Sequence, residues 1–146
     1  TCILWGDGAG ACVLARGDEG HLVLSSHVHT DGANGQELLM PGGGSSTTPI
    51  SHDSVDEGLH TLKLIEASAT FRVAVRHFVN AIKEACEHND VAVDEVDWFI
   101  PHQANLRMFQ SMAKSIKVPL ERFYVTLDRY GNISSASSST KVSDRR

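Results

Sequence analysis

Residues 71–127 change hydrophobic period repeatedly, and few folds accept that order. Phe71, Ala74, Val75, Phe78, Val79, Ile82, Ala85 and Cys86 recur at helical spacing, with Arg72, Arg76, Lys83 and Glu87 off the stripe. This predicts an amphipathic helix that starts as early as Thr61 and ends at Asn89-Asp90. Residues 96–100 follow as a short, nearly all-apolar run, the pattern of a strand buried on both faces, and Pro101 stops it. A second helix is expected from about Asn105, with Leu106, Phe109, Met112, Ala113 and Ile116 inward and Pro119 closing it. Residues 123–127 read as another strand, leading to the turn Tyr130-Gly131-Asn132. Strands alternating with helices give an α/β fold: a mainly parallel, mixed sheet with covering helices.

The first half is less regular. Residues 5–16 read as a glycine-rich turn feeding a short apolar strand, and 21–29 as a second strand, joined through 17–20. Residues 30–60 are rich in Gly, Ser, Pro and Thr and are expected to form a long surface excursion without secondary structure, a kind of loop that is commonly functional. We expect one domain over 1–137, incomplete, and a divergent or disordered tail over 138–146. A chain of 146 residues is long enough to bury a core. Its net charge of −5 argues against a nucleic-acid surface. No apolar run reaches the ~18 residues of a membrane helix. The opening Thr-Cys-Ile-Leu-Trp has neither initiator Met nor signal-peptide pattern, so the chain reads as the middle of a longer protein with the cytoplasm as its default compartment. Three widely spaced cysteines, without C-x-x-C, suit neither a disulfide framework nor a zinc site. Cys86, on the apolar stripe, and Cys12, in a small-residue strand, are both expected to be buried.

In parallel sheets, sites collect at the carboxyl ends of strands. His102 follows the run 96–100 and Asn132 follows 123–127, so parallel strands would bring both out on one edge. A histidine near a helix amino terminus is disfavoured as imidazolium. A neutral imidazole and an amide N–H can both donate to one developing oxyanion. The same residues also fit a plainer reading, in which His102 caps a helix and Asn132 stabilises a turn. His27-x-His29-x-Asp31 would place two imidazoles on one strand face, but no other His or carboxylate cluster has ligand spacing, so no metal is assigned. Gly6-x-Gly8-x-Gly10 lacks the third-glycine spacing and following helix of a dinucleotide loop and reads as a strand-entry turn. Gly42-Gly43-Gly44-Ser45 lacks a phosphate-loop lysine and reads as flexible connection.

Pro101-His102-Gln103-Ala104-Asn105-Leu106-Arg107, followed by Tyr130-Gly131-Asn132-Ile133-Ser134-Ser135, resembles the β-ketoacyl-acyl carrier protein synthase III family. Trp5-Gly6-Asp7-Gly8-Ala9-Gly10-Ala11, Ser26-His27-Val28-His29-Thr30-Asp31-Gly32 and Thr70-Phe71-Arg72-Val73-Ala74-Val75 match the same family in the same order, so the resemblance spans residues 3–137. It implies a thiolase-like fold, a homodimer when complete, and a Cys-His-Asn triad of which His102 and Asn132 are two members. It further implies decarboxylative condensation of acyl-CoA with malonyl-acyl carrier protein, starting fatty-acid synthesis without a cofactor beyond those substrates. Gln103, Ala104, Asn105, Leu106 and Arg107 match the carrier-protein-binding stretch, with Arg107 the cation for an acidic carrier. Phe71 matches a residue of the substrate tunnel, although an apolar helix residue is equally a core residue. None of Cys2, Cys12 or Cys86 matches the nucleophile. The Ser-rich run after Ser134 departs from the family's continuation and is a poor helix former. The alternatives are a non-catalytic half-thiolase fragment and a related type III-like synthase of secondary metabolism.

Overall fold

The computed structural model describes residues 4–17, 20–44 and 48–138. Cys2, part of the 17–20 connection, Ser45 and residues 139–146 of the expected tail therefore lie outside the described residues. The contacts group the chain into two compact units, one of His29–Ala74 and the other of the segments before and after it. A single domain was the expectation from sequence.

The first unit carries more structure than its composition predicts. A two-residue strand, β1 (Leu38–Leu39), pairs antiparallel with β2 (Lys63–Leu64). Between them α1 (His52–Asp56) is fixed by a capping box, in which Ser51 and Ser54 each accept the other's backbone N–H. Gly42 bridges Thr48, and its N–H donates to the Leu59 carbonyl at 2.7 Å. The excursion 30–60 is thus tied down by local caps and bridges. Such polar devices leave no hydrophobic period for a sequence reading to detect.

α2 (Ala67–His88) is the long amphipathic helix. It begins six residues later than Thr61, because β2 occupies the start of the expected range. Val79 and Cys86 are buried, while Arg72, Arg76, Lys83 and Glu87 are exposed, as the stripe requires. Asp90 ends it at φ 53, a left-handed conformation that Asp tolerates better than most residues.

The second unit holds the larger core. Asn105 opens α3 (Leu106–Ile116) by accepting the Arg107 N–H, and Lys117 closes it in the left-handed region at φ 58. Met108, Phe109, Met112, Ala113 and Ile116 are buried. Leu106, expected inside, is 44% exposed, and Met108 takes the inward place. The rings of Phe99 and Phe123 stack at 5.0 Å, and Phe109 of α3 stacks on Phe123 at 6.1 Å. Aromatic pairs at such separations are worth about 0.5–1.5 kcal/mol beyond their burial.

Phe99 and Phe123 also form a parallel bridge. The Phe99 N–H donates to Arg122 O at 2.9 Å, and the Tyr124 N–H to Phe99 O at 2.8 Å. The two apolar runs are therefore parallel at this one bridge, as their order predicted, but neither forms a strand, and Leu127, expected to end the second run, begins a short helix. Of the run 96–100 only Phe99 is buried, and Trp98 and Ile100 are exposed, which corrects the expectation of a strand covered on both faces. The expected sheet is thinner still towards the first residues. Among the described residues, neither 5–16 nor 21–29 belongs to a strand, and Val13, Leu14, Val23, Leu24 and Val28 are exposed. Apolar alternation makes a segment ready to pair, and among the described residues no neighbouring strand pairs with either segment.

Candidate active site

The site grows from the loop between Phe99 and α3. Gln103 is fully buried, and every polar atom of its side chain is used. Its Nε2 donates to the carbonyls of Pro101 and Tyr124, each at 2.9 Å, and its Oε1 accepts the Thr126 N–H at 2.8 Å. One side chain therefore laces the end of the first parallel segment to the end of the second. A buried amide satisfied three times over is costly to disturb, since each orphaned partner carries a desolvation penalty of about 1–3 kcal/mol. His102, one residue before it, is half-buried and held on this rigid loop.

The second side of the site is built by a short helix and a glycine. After α4 (Leu127–Tyr130), Gly131 takes φ 66 and ψ −157, a conformation essentially reserved for glycine. This abrupt turn presents Asn132. The Asn132 carbonyl accepts the Gly6 N–H at 2.8 Å. A Cβ on Gly6 would lie 2.4 Å from the Tyr130 carbonyl oxygen, and one on Gly8 would meet the Ile133 side chain at 2.9 Å. The glycine-rich opening of the chain is thus a close-fitting backing for Asn132. The Gly6-x-Gly8 spacing was the available signal for this contact, and it suggested only a turn.

One backbone joins His102 and Asn132. The Ser134 N–H donates to Asn132 Oδ1 at 3.1 Å, and the Ser134 carbonyl accepts from His102 Nδ1 at 3.2 Å. Oδ1 engaged in this way leaves the Asn132 Nδ2 amide as the outward donor. A carbonyl only accepts, so Nδ1 of His102 carries a proton, and a neutral ring then keeps Nε2 as an acceptor. Ser134 itself sits at φ 54. Chain order predicts that His102 and Asn132 meet at the edge of two parallel strands; the structure joins them through Ser134 beside a single bridge instead, a link not legible in the sequence.

Beside these residues lies an open cavity of about 480 Å³, lined by Trp5, Gly6, Asn105, Leu106, Leu127 and Asn132 among others. Arg107 is exposed on the first turn of α3, with Leu106 beside it at the cavity wall. Ala104 is half-buried and also lines the cavity, and Asn105 spends its side-chain oxygen on the helix cap. Gln103, grouped by its motif with the carrier-binding residues, is placed differently. It is enclosed, and its side-chain polar atoms are spent on Pro101, Tyr124 and Thr126. Phe71 is half-buried on α2, in the first unit.

The cysteines divide by environment. Cys86 is buried, and burial pushes its thiol pKa up, which makes it inert at neutral pH. Cys12 is exposed, contrary to the expectation that its strand would bury it. Among the described residues no group of three or more His, Cys, Asp or Glu side chains is arranged to hold a metal. His27, half of the metal-like pair, uses both ring nitrogens on protein partners, Ser25 and Glu84. No helix among the described residues is long and apolar enough to cross a membrane.

Comparison with known proteins accords with this arrangement. The sequence model described as 3-Oxoacyl-[acyl-carrier-protein (ACP)] synthase III C terminal matches residues 86–144, and that of 3-Oxoacyl-[acyl-carrier-protein (ACP)] synthase III matches residues 1–32. The first match runs past residue 137, further than the sequence reading carried the resemblance. A beta-ketoacyl-[acyl-carrier-protein] synthase III of Caldanaerobacter subterraneus is 41% identical over 137 residues, covering 94% of this chain and 41% of that protein. The crystal structure of 3-oxoacyl-(acyl carrier protein) synthase III from Pseudomonas aeruginosa superposes with a TM-score of 0.72 at 20% identity, covering 86% of this chain and 37% of that one. The corresponding structure from Aquifex aeolicus gives 0.52 at 34% identity, covering 55% of this chain and 26% of the other. The chain therefore spans about two fifths of the length of the curated relatives it matches. With the thiolase-like α/β fold of these structures, the two family matches and the identity to full-length relatives, the chain belongs to the 3-oxoacyl-[acyl-carrier-protein] synthase III family.

Proposed function

We propose that this chain supplies the decarboxylating and carrier-docking part of an acyltransferase that condenses acyl-CoA with malonyl-acyl carrier protein to a 3-oxoacyl-acyl carrier protein. The observation that carries the reading is the Ser134 backbone, which holds His102 and Asn132 at one place from two distant parts of the chain. In the proposed step, the bond between the malonyl carboxylate and its α-carbon breaks and CO2 leaves. The electron pair moves onto the thioester oxygen, where His102 and Asn132 donate hydrogen bonds to the enolate. The enolate carbon then attacks an acyl thioester held on a cysteine outside these 146 residues, and that thiolate departs. Arg107, exposed two residues into α3, offers a cation to an acidic carrier protein, which mostly raises the rate of encounter. The working enzyme is a cytoplasmic homodimer that needs no metal or cofactor.

Donation from Nε2 requires a proton that the neutral ring keeps on Nδ1 while the Ser134 carbonyl accepts from it. We therefore place an exchange of the Nδ1 partner between this arrangement and the decarboxylating one. Nitrogen-15 NMR of the 146-residue chain should report the Nδ1–H tautomer at His102. An Nε2–H tautomer there would remove the need for the exchange.

In a protein carrying the complete sequence, His102→Ala and Asn132→Ala should each slow malonyl-acyl carrier protein decarboxylation about 10²–10³-fold. Acyl transfer from acyl-CoA to the cysteine should persist. Loss of acyl transfer with decarboxylation intact would overturn the assignment. The 146-residue chain alone should form no condensation product.

A further inference from the structure

We propose that Ser25, His27 and Glu84 form a second nucleophilic site, a serine–histidine–carboxylate relay that accepts acyl groups from small activated esters and thioesters. Nothing in the condensing chemistry at His102 and Asn132 uses these residues, and the proposal stands whether or not that reading holds.

The geometry is that of an activated hydroxyl. Ser25 Oγ lies 2.9 Å from His27 Nε2, and His27 Nδ1 lies 3.0 Å from Glu84 Oε1. The carboxylate only accepts, so Nδ1 carries the ring proton and Nε2 holds a lone pair towards the hydroxyl. Asn89 fixes the hydroxyl from the other side, because its Nδ2 donates to Ser25 Oγ at 2.7 Å. An oxygen that accepts from Asn89 has its own hydrogen free to point at Nε2. Asn89 is itself anchored, since Nδ2 also donates to the Ala85 carbonyl at 2.7 Å. His27 is steadied by the His88 ring, edge-on with centroids 5.2 Å apart, and its side chain is only 14% exposed. The nucleophile, the base and a group that orients the base are thus held in order, the arrangement that makes a serine reactive. Ser25 and His27 come from an irregular segment, while Glu84, His88 and Asn89 come from the last turns of α2 and the residue that follows it, all in one compact unit.

The chemistry balances without a further reagent. Ser25 Oγ forms a bond to the carbonyl carbon of an ester or thioester, and its proton passes to His27 Nε2. The carbonyl electrons move to oxygen in the tetrahedral adduct. Collapse breaks the bond to the alcohol or thiol, which leaves with the proton from Nε2. Water then repeats the sequence on the acyl-serine, giving a carboxylic acid and free Ser25. Glu84 does not touch the substrate and is a positioning residue.

The test uses the 146-residue chain and a fluorophosphonate, which transfers phosphorus to an activated serine and expels fluoride. Peptide mass mapping should find the adduct on Ser25, and p-nitrophenyl acetate should compete for it. Ser25→Ala should abolish that labelling, and His27→Ala should slow it about 10²–10⁴-fold. Glu84→Ala should lose most of it, with Glu84→Asp restoring a substantial part, a rescue that a merely structural contact would not give in a labelling rate. An adduct confined to other residues, the exposed Cys12 included, would overturn the proposal. So would a His27→Ala chain labelled at Ser25 as fast as the parent, since the network would then only pin residues 25–27 to α2. The mapping on the unsubstituted chain decides even where a variant fails to fold.

Discussion

Residues 99–134 and residues 5–28 start from similar apolar content and end in opposite circumstances. Phe123 is 3% exposed, stacked between Phe99 and Phe109 and bridged in parallel to Phe99. Val13 is 94% exposed, and no strand among the described residues pairs with its segment. Both are strand-like in sequence. The difference is the presence of a covering partner: α3 and a parallel neighbour serve Phe123, and no strand or helix among the described residues covers Val13. Where 5–28 does find contact, the contact is specific, through Gly6 against Asn132 and Gly8 against Ile133, or through Ser25 and His27 against α2.

The sharpest way to break this comparison is Phe123→Ala. Emptying the centre of the aromatic stack should cost about 3–5 kcal/mol, read as a fall in the denaturant midpoint. A loss below about 1 kcal/mol would mean that the two regions are equally loosely held. Gly131→Ala comes next. A side chain forced into φ 66 and ψ −157 should cost about 1–3 kcal/mol in thermal unfolding, and the same change in the complete protein should impair decarboxylation by displacing Asn132. The smallest effect belongs to the other region: Val13→Ser should change the stability of the 146-residue chain by no more than about 0.5 kcal/mol. A larger destabilisation would show that its exposure is not what governs the segment.

What the sequence made legible follows the same division. The period of α2 and α3 is carried by side chains that face one way, so both helices, and the parallel order of the runs around Phe99 and Phe123, could be read directly. The meeting of His102 with Asn132 followed from that order, although Ser134 and not a strand edge joins them. Periodicity reports that a segment has an apolar side and says nothing of what covers it, so 5–16 and 21–29 read as strands without partners to complete them. Gln103 misled for a different reason. A polar residue inside a recognised motif invites a surface role, and only the positions of Pro101, Tyr124 and Thr126 reveal that its three hydrogen bonds are internal. The capping of α1 and the bridge at Gly42 rest on single polar contacts, which leave no pattern to count.

Ser134 holds His102 and Asn132 with its backbone, and its side chain takes no part in either bond. Mutational tolerance at this position is therefore set by conformation and not by hydroxyl chemistry. Glycine and asparagine, which accept φ near 54, should substitute with little loss. Valine and isoleucine should be penalised for their branching, and proline is excluded twice, by its fixed φ and by the missing N–H that Asn132 requires. A library at residue 134 would thus rank substitutions by their left-handed propensity, a ranking unrelated to polarity.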